Sequence, residues 1–349
     1  MTEKVRSIMV GMGGVSRAML EVLRQKSWHE VVAVVDVREA ALQQAQATLS
    51  LPESALFLDL DAALGTADAN TVILNTPSEL HYTQTRAVLE AGLTPLVAKP
   101  FTNSYEHAVE LVELAGKKQI RLCVAQQMRF FRHYLAVRQF VESGQLGDIE
   151  QLFFLNAKPR HQALNLRGMS QPVLYEMSCH HFDSIMSILP DAVPESIICD
   201  GYQPSWSVYD GPCMVNALIR FDHGLHVLYH AGFSSQSNCY EVRLEGTRGV
   251  LRCRGLHMSN NEMTYELAPR GGDFVVTDID REIPITQPWD VFVDRWYDYL
   301  TGGPEPPFSG RNNLRVFALL SAAIDAVEAD AFVKVATNPR YKSAFEERV

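Results

Sequence analysis

Short apolar runs alternate with amphipathic stretches through the first third of the chain. "RSIMVGMGG" reads as a strand running into a glycine turn, and "VVAVVDV" as a β-branched strand ending at an acid. "ALFLD", "NTVILNTP", "TPLVAKP" and "IRLCVAQ" supply further strands. Between them "VSRAMLEVLRQ", "EAALQQAQATL", "ELHYTQTRAVLEAG" and "SYEHAVELVELAGKK" place apolar residues at helical spacing. Strands separated by helices of this length imply parallel βαβ units. Right-handed crossovers then build a doubly wound α/β domain of about six strands.

From about Phe130 the rhythm changes. "FFRHYLAVRQFVESGQLGDI" predicts a connecting helix ended at glycines. Strand patterns then follow one another without helices: "IEQLFFLNAK", "CMVNALIRFDHGLHVLYHAGF", "CYEVRLEGTRGVLRCRG" and "MTYELAP". "FDHG" and "EGTRG" supply hairpin turns. This predicts an α+β domain with a large, mostly antiparallel sheet whose second face is open or covered by a partner. "LTGGPEPPFSGRNN" reads as a loop and "LRVFALLSAAIDAVEADAF" as a closing helix. The expected domains are residues 1–125 and 126–349.

Composition narrows the setting. The chain has 349 residues, 47% of them hydrophobic and 21% charged, which suits two globular domains. A formal net charge of −10 argues against a nucleic-acid partner, because phosphate binding needs a basic face. Cys123, Cys179, Cys199, Cys213, Cys239 and Cys253 are scattered without a CxxC pair, as expected of buried thiols in a reducing cytoplasm. The start "MTEKVRSIMVGMGG" lacks a signal-peptide core, and no apolar run approaches membrane-span length. A cytoplasmic protein with no membrane partner is the expectation.

Three stretches carry chemistry. "GMGGVSR" follows the first strand and opens a helix. Gly11 permits the tight turn, Gly13 lets a pyrophosphate approach the backbone, and the helix start offers free N–H groups; Met12, Gly14 and Val15 complete the turn. Ser16 stands where a third glycine is common. Asp36 ends the second strand, where a carboxylate accepts bonds from an adenosine ribose, with Val37 and Arg38 beside it. Together they indicate dinucleotide binding. Asp36 would repel a 2′-phosphate and so favours NAD, whereas Arg38 keeps NADP open.

In "LVAKP", Lys99 ends the fifth strand and Pro100 stops it, at the carboxyl edge where ligands lie in such sheets. "YEMSCHHFD" is the third stretch. On a helix Glu176, His180 and Asp183 would share a face. Three readings compete for it. A metal site is disfavoured because Cys179, His180 and His181 are consecutive and point apart. A polar helix with structural contacts is the second reading. The third is an imidazole that moves a proton, oriented by a carboxylate.

These stretches, with "QQMRFFRHYLAVRQFVESGQLGDI" and "SGRNNLRVFALLSAAIDAV", resemble in order the glucose–fructose oxidoreductase / inositol dehydrogenase / rhizopine catabolism (Gfo/Idh/MocA) family over nearly the whole chain. The resemblance implies an N-terminal Rossmann domain, an open-faced C-terminal domain, and homodimers or homotetramers joined through its sheet. It implies NAD(P)-dependent oxidation or reduction of a hydroxyl or carbonyl carbon on a sugar, cyclitol or derivative. The family's "EKP" lysine falls on Lys99, and its "D-x-G-x-H-x-x-D" pattern on Glu176, Ser178, His180 and Asp183. The carried-over roles are proton transfer by Lys99 and His180, supported by Glu176. Ala98 replaces the usual glutamate, Glu176 is one methylene longer than aspartate, and Ser178 replaces glycine.

The nicotinamide is then expected near Asn75, Thr76, Pro77, Ala98, Lys99 and Gln127, with His81 lining the cofactor or capping a helix. His180 would take the hydroxyl proton as hydride leaves the carbon, and the Lys99 ammonium would stabilise the alkoxide. Arg129, Lys158, Arg160, His161 and Arg167, if they line the pocket, favour a polyhydroxylated or anionic substrate. Two other uses of the same apparatus stay open: redox-assisted glycoside cleavage, and a non-catalytic dinucleotide-sensing regulator.

Overall fold

The computed structural model describes residues 4–162, 166–258, 262–279, 283 and 287–346. Met1–Glu3, part of the leader reading, lie outside them. The chain forms two compact units, one of residues 1–127 with Gln287–Leu314, the other of residues 128–286 with Arg315–Val349. The first unit therefore takes back a segment that the boundary at 125/126 assigns to the second domain. The sequence pattern marks helices there but not what they pack on.

In the first unit the chain runs β1 (Val5–Val10), α1 (Gly14–Leu23), β2 (His29–Val35), α2 (Glu39–Leu49), β3 (Leu56–Phe57), α3 (Leu60–Thr66), β4 (Thr71–Leu74), α4 (His81–Glu90), β5 (Thr94–Val97), α5 (Tyr105–Lys118) and β6 (Cys123–Val124). The six strands pair in parallel in the order β3-β2-β1-β4-β5-β6. The order reverses at β1, which places a switch point between β1 and β4 and bears out the doubly wound expectation. Central strands are buried on both faces, so all four residues of "TVIL" in β4 are buried, Thr71 together with three apolar side chains. Ser104 caps α5 and Asp59 caps α3, each accepting a backbone N–H of the first turn, a contribution of roughly 1 kcal/mol apiece. The returning segment packs its helix Pro288–Leu300 on α1. Trp296 is fully buried, Trp28 stacks on Tyr297 at 4.2 Å, and Lys26 pairs with Asp294 at 2.7 Å.

The second unit contains α6 (Arg132–Glu142), β7 (Ile149–Pro159), a π turn (Leu174–Ser178), α7 (Cys179–Ile188), β8 (Pro194–Tyr202), β9 (Met214–Phe221), β10 (His226–Gly232), β11 (Ser234–Gly246), β12 (Gly249–Gly255), β13 (Thr264–Pro269) and β14 (Val275–Thr277). Beyond α8 (Pro288–Leu300), α9 (Gly310–Ala329) starts in the first unit and continues in this one, and β15 (Val333–Lys334) follows. The helix α9 thus begins at Gly310, inside the stretch read as loop. The sheet order is β14-β13-β12-β11-β7-β10-β9-β8-β15, antiparallel except for β10 beside β7.

Alternation in these strands separates two faces. Phe154, Tyr229 and Val242 point inward and are buried, with Phe182 of α7 against Tyr229 at 5.1 Å and Tyr134 of α6 against Phe154 at 6.4 Å. Phe153, Leu155, Leu218 and Leu228 point to the other face, where they line a depression of about 620 Å³. Among the described residues no helix is long and apolar enough to cross a membrane.

Candidate functional site

The carboxyl edge of the parallel sheet is shaped by Gly11. Its φ is +79°, and a Cβ there would lie 2.7 Å from the Asn75 carbonyl oxygen, so only glycine fits between the ends of β1 and β4. Ser16 is fully buried and its hydroxyl donates to the Gly11 carbonyl, so the third small residue locks the turn. Beyond it α1 starts at Gly14 with no side-chain cap and no acid in its first turn. Nothing lies within 4 Å of a Cβ built on Gly13 or Gly14, so no neighbouring side chain crowds the uncapped, positive end of α1, the kind of helix start that takes an anion.

Asp36 is buried at the end of β2 and accepts four N–H groups. The Met12 amide donates to Oδ2 at 2.8 Å and the Arg38 amide to Oδ1 at 2.9 Å. The Arg38 guanidinium adds two bonds of 3.0 Å. The Arg38 contact, aided by the two amides, lowers the Asp36 pKa to about 2. The carboxylate is thus ionised at the end of β2, with Arg38 across it. Val37 and Leu58, which follow the neighbouring strands β2 and β3, are 84% and 53% exposed. Apolar side chains left open at this edge suit a flat heterocycle such as adenine. In the sequence Leu58 is marked only as an apolar residue one step past the strand "LF".

Asn75 follows β4. Its side-chain nitrogen and oxygen are both buried and both without a partner among the described residues. A carboxamide left this way at a ligand-binding edge fits a bound group with a donor and an acceptor, as the nicotinamide amide has. Thr76 bonds through its hydroxyl to Gln84 at 2.6 Å, and Pro77 is exposed. The amide of Ala98 donates to the Leu74 carbonyl at 2.8 Å, extending the β4–β5 pairing. Lys99 follows it, half-buried, at the same edge. Gln127 opens the 3-10 turn Gln127–Phe130.

His81 is placed differently from a cofactor contact. Its ring is 1% exposed, with Nδ1 2.8 Å from the Pro100 carbonyl and Nε2 2.9 Å from the Thr76 carbonyl. A neutral ring donates to one of these two carbonyls, and the imidazole lies between the turn after β4 and the loop after β5. Burial lowers its pKa against the pull of those carbonyls.

In the second unit the stretch read as one helix begins as a π turn, and Glu176 lies in it while His180 lies in α7. A shared face at i, i+4 requires α geometry, and the wider π turn changes the angle between the two residues. Glu176 is half-buried and His180 buried. Cys179 Sγ turns to the Tyr175 carbonyl at 3.1 Å, and His181 bonds Asn156 and Tyr229. Both are thereby occupied away from Glu176. Among the described residues no cluster of three or more His, Cys, Asp or Glu could hold a metal.

The basic residues expected to meet substrate are mostly tied to neighbours. Arg129 is buried with its Nε 3.6 Å from Asp183. Arg160 lies over the Phe233 ring at 4.6 Å, and Arg167 pairs at the surface with Asp210 at 3.1 Å. Lys158 and His161 are half-buried.

Known proteins resemble this chain in sequence and in fold. Residues 5–126 match the model of an oxidoreductase family with an NAD-binding Rossmann fold, and residues 134–252 match the GFO/IDH/MocA C-terminal domain. An uncharacterised protein of Sinorhizobium fredii is 26% identical over 88% of each chain. An inositol 2-dehydrogenase of Pseudarthrobacter chlorophenolicus is 30% identical over 53% of this chain and 54% of its own. In three dimensions the chain is similar to the WlbA dehydrogenase of Bordetella pertussis in complex with NADH and UDP-GlcNAcA. The TM-score is 0.81 at 20% identity, covering 96% of this chain and 99% of the other.

Proposed function

The chain belongs to the GFO/IDH/MocA family of NAD-binding oxidoreductases, and we propose that it moves a hydride between nicotinamide and a hydroxyl-bearing carbon of a sugar, cyclitol or sugar derivative. The observation that carries this reading is the open, uncapped helix start behind Gly11, with the Asp36 carboxylate and the Asn75 carboxamide at the same sheet edge. The inositol 2-dehydrogenase relative supports a polyhydroxylated substrate.

When bound, the nicotinamide supplies the hydride acceptor or donor. The protein's part is to hold and protonate. Amides at Gly13 and Gly14 hold the pyrophosphate, Asp36 accepts from the adenosine ribose, and Asn75 orients the carboxamide. The Lys99 ammonium stabilises the alkoxide that develops on the substrate, and a His180 imidazole nitrogen takes the hydroxyl proton. Glu176, four residues earlier in the π turn, is the supporting carboxylate of this reading.

The test is a panel of cyclitols, sugars and sugar acids assayed with NAD and NADP by the absorbance of reduced nicotinamide. Lys99→Ala and His180→Ala are each expected to lower kcat by about 10²–10⁴-fold, with NAD affinity retained in both. Turnover surviving either change, or no turnover with any polyol, removes the assignment.

Assembly and location complete the proposal. The depression on the outer sheet face, lined by Phe153, Leu155, Leu218 and Leu228, supports a dimer or tetramer built on that sheet. Light scattering of wild type and of Leu228→Glu tests it. Six free cysteines, five of them buried, suit a reducing cytoplasm.

A further inference from the structure

Ser178 stands where the family pattern has glycine, and it is fully buried inside the π turn. Its hydroxyl lies 3.2 Å from the Val173 carbonyl, five residues back, and 2.6 Å from the Tyr229 hydroxyl. Tyr229 comes from β10 and lies 2.7 Å from His181 Nδ1. His181 Nε2 lies 2.8 Å from the Asn156 side-chain nitrogen, on the adjacent parallel strand β7. All four side chains are buried.

These contacts admit one consistent direction. The Asn156 side-chain nitrogen Nδ2 has only protons to offer, so it donates to His181 Nε2, which must carry a lone pair. The ring proton is then on Nδ1 and donates to the Tyr229 oxygen. Tyr229 donates in turn to Ser178, and Ser178 to the Val173 carbonyl. Each hydroxyl and the ring accept once and donate once. A neutral His181 is required, and burial pushes its pKa in that direction.

We propose that Asn156, His181, Tyr229 and Ser178 form a directional hydrogen-bond relay that pins the π turn to the sheet and so positions Glu176 and His180. The inference rests on the proton-handling role proposed for His180. Two inward positions of neighbouring strands and two positions of the π turn–helix junction are joined by the relay, so the junction cannot rotate without breaking several buried bonds at once. A glycine at 178 would supply neither the bond to Val173 nor the end of the chain. The serine substitution is therefore matched by the tyrosine beneath it. These four are positioning residues; none is assigned contact with substrate.

Nitrogen-15 spectra of histidine-labelled protein test the relay without any catalytic assay. Wild type is expected to hold His181, identified by the signal lost in His181→Gln, as a neutral imidazole with its proton on Nδ1 at pH 7, and Tyr229→Phe to keep that tautomer but lose the hydrogen-bond shift of the Nδ1 proton. No such Nδ1–H imidazole in wild type overturns the relay, even if the enzyme turns over. Turnover then tests positioning. Tyr229→Phe and Ser178→Ala are each expected to lower kcat between about 10- and 100-fold, with KM moved much less and the NAD dissociation constant unchanged. The double variant should lose no more than the worse single one. Losses that multiply, or that fall on KM alone, contradict positioning. If the signature is present but no substrate turns over, the functional reading fails and the relay stands.

Discussion

Each unit contains one buried aspartate facing an arginine, and the two carboxylates are shifted in opposite directions. In the first unit Asp36 accepts four N–H bonds at 2.8 to 3.0 Å and its pKa falls to about 2. In the second, Asp183 stands 3.6 Å from Arg129, neither oxygen has a hydrogen-bond partner among the described residues, and burial raises its pKa to about 6. The same two residue types are present in both. The outcome differs because short, aimed donors replace lost water at Asp36, whereas at Asp183 Coulomb attraction only offsets part of the desolvation cost.

Their pH dependence has opposite sign. Asp183 in the folded state holds its proton above the ordinary value of 3.8, so its contribution to stability declines as pH rises from there through about 6. The Asp36 contribution is complete above the ordinary range and is lost as pH falls toward about 2.

The largest effect expected from breaking this contrast is at Arg129. Arg129→Met leaves Asp183 without its countercharge and should cost about 3–5 kcal/mol at pH 8. The loss should shrink at pH 5, where Asp183 is mostly protonated. Urea unfolding at both pH values measures it, and equal losses would contradict the account. Next is Asp36→Ala, expected to weaken NAD binding by about 10- to 100-fold, the range of a charged hydrogen bond, in a calorimetric titration. Unchanged affinity would remove Asp36 from the ribose site. The smallest effect belongs to Arg38→Ala. Its side chain is 63% exposed, and its release frees two carboxylate bonds. NAD should bind about two- to fivefold tighter, while NADP, losing a cation for its 2′-phosphate, binds more weakly. A parallel change in both affinities would show that Arg38 does not discriminate between them.

Legibility in the sequence was uneven for physical reasons. The parallel sheet was readable because buried strands and helices carry unmistakable periodicities, and the glycine turn because only glycine tolerates Gly11's conformation. The strand Pro194–Tyr202 went unread: its "PESIICDGY" ends in turn-forming Asp200 and Gly201, and proline opens it. The π turn was hidden because one wider turn leaves residue types unchanged. His81 and the arginines were recognised as polar residues near the right places. Their partners were not, since Pro100 is 19 residues from His81 and Asp183 is 54 from Arg129, which is numbering alone and no guide to contact.

The amino-acid order alone determined most of the strands and helices, the dinucleotide turn, the acid after β2, the lysine after β5 and the family. These follow from local backbone sterics and from apolar periodicity, which each segment carries within itself. Only the tertiary structure decided that Asp36 is ringed by donors and Asp183 is not, that His81 lies between two carbonyls, and that Ser178 meets Tyr229. Such outcomes depend on which distant atoms replace water around a polar group. That is set by packing, and no local pattern encodes it.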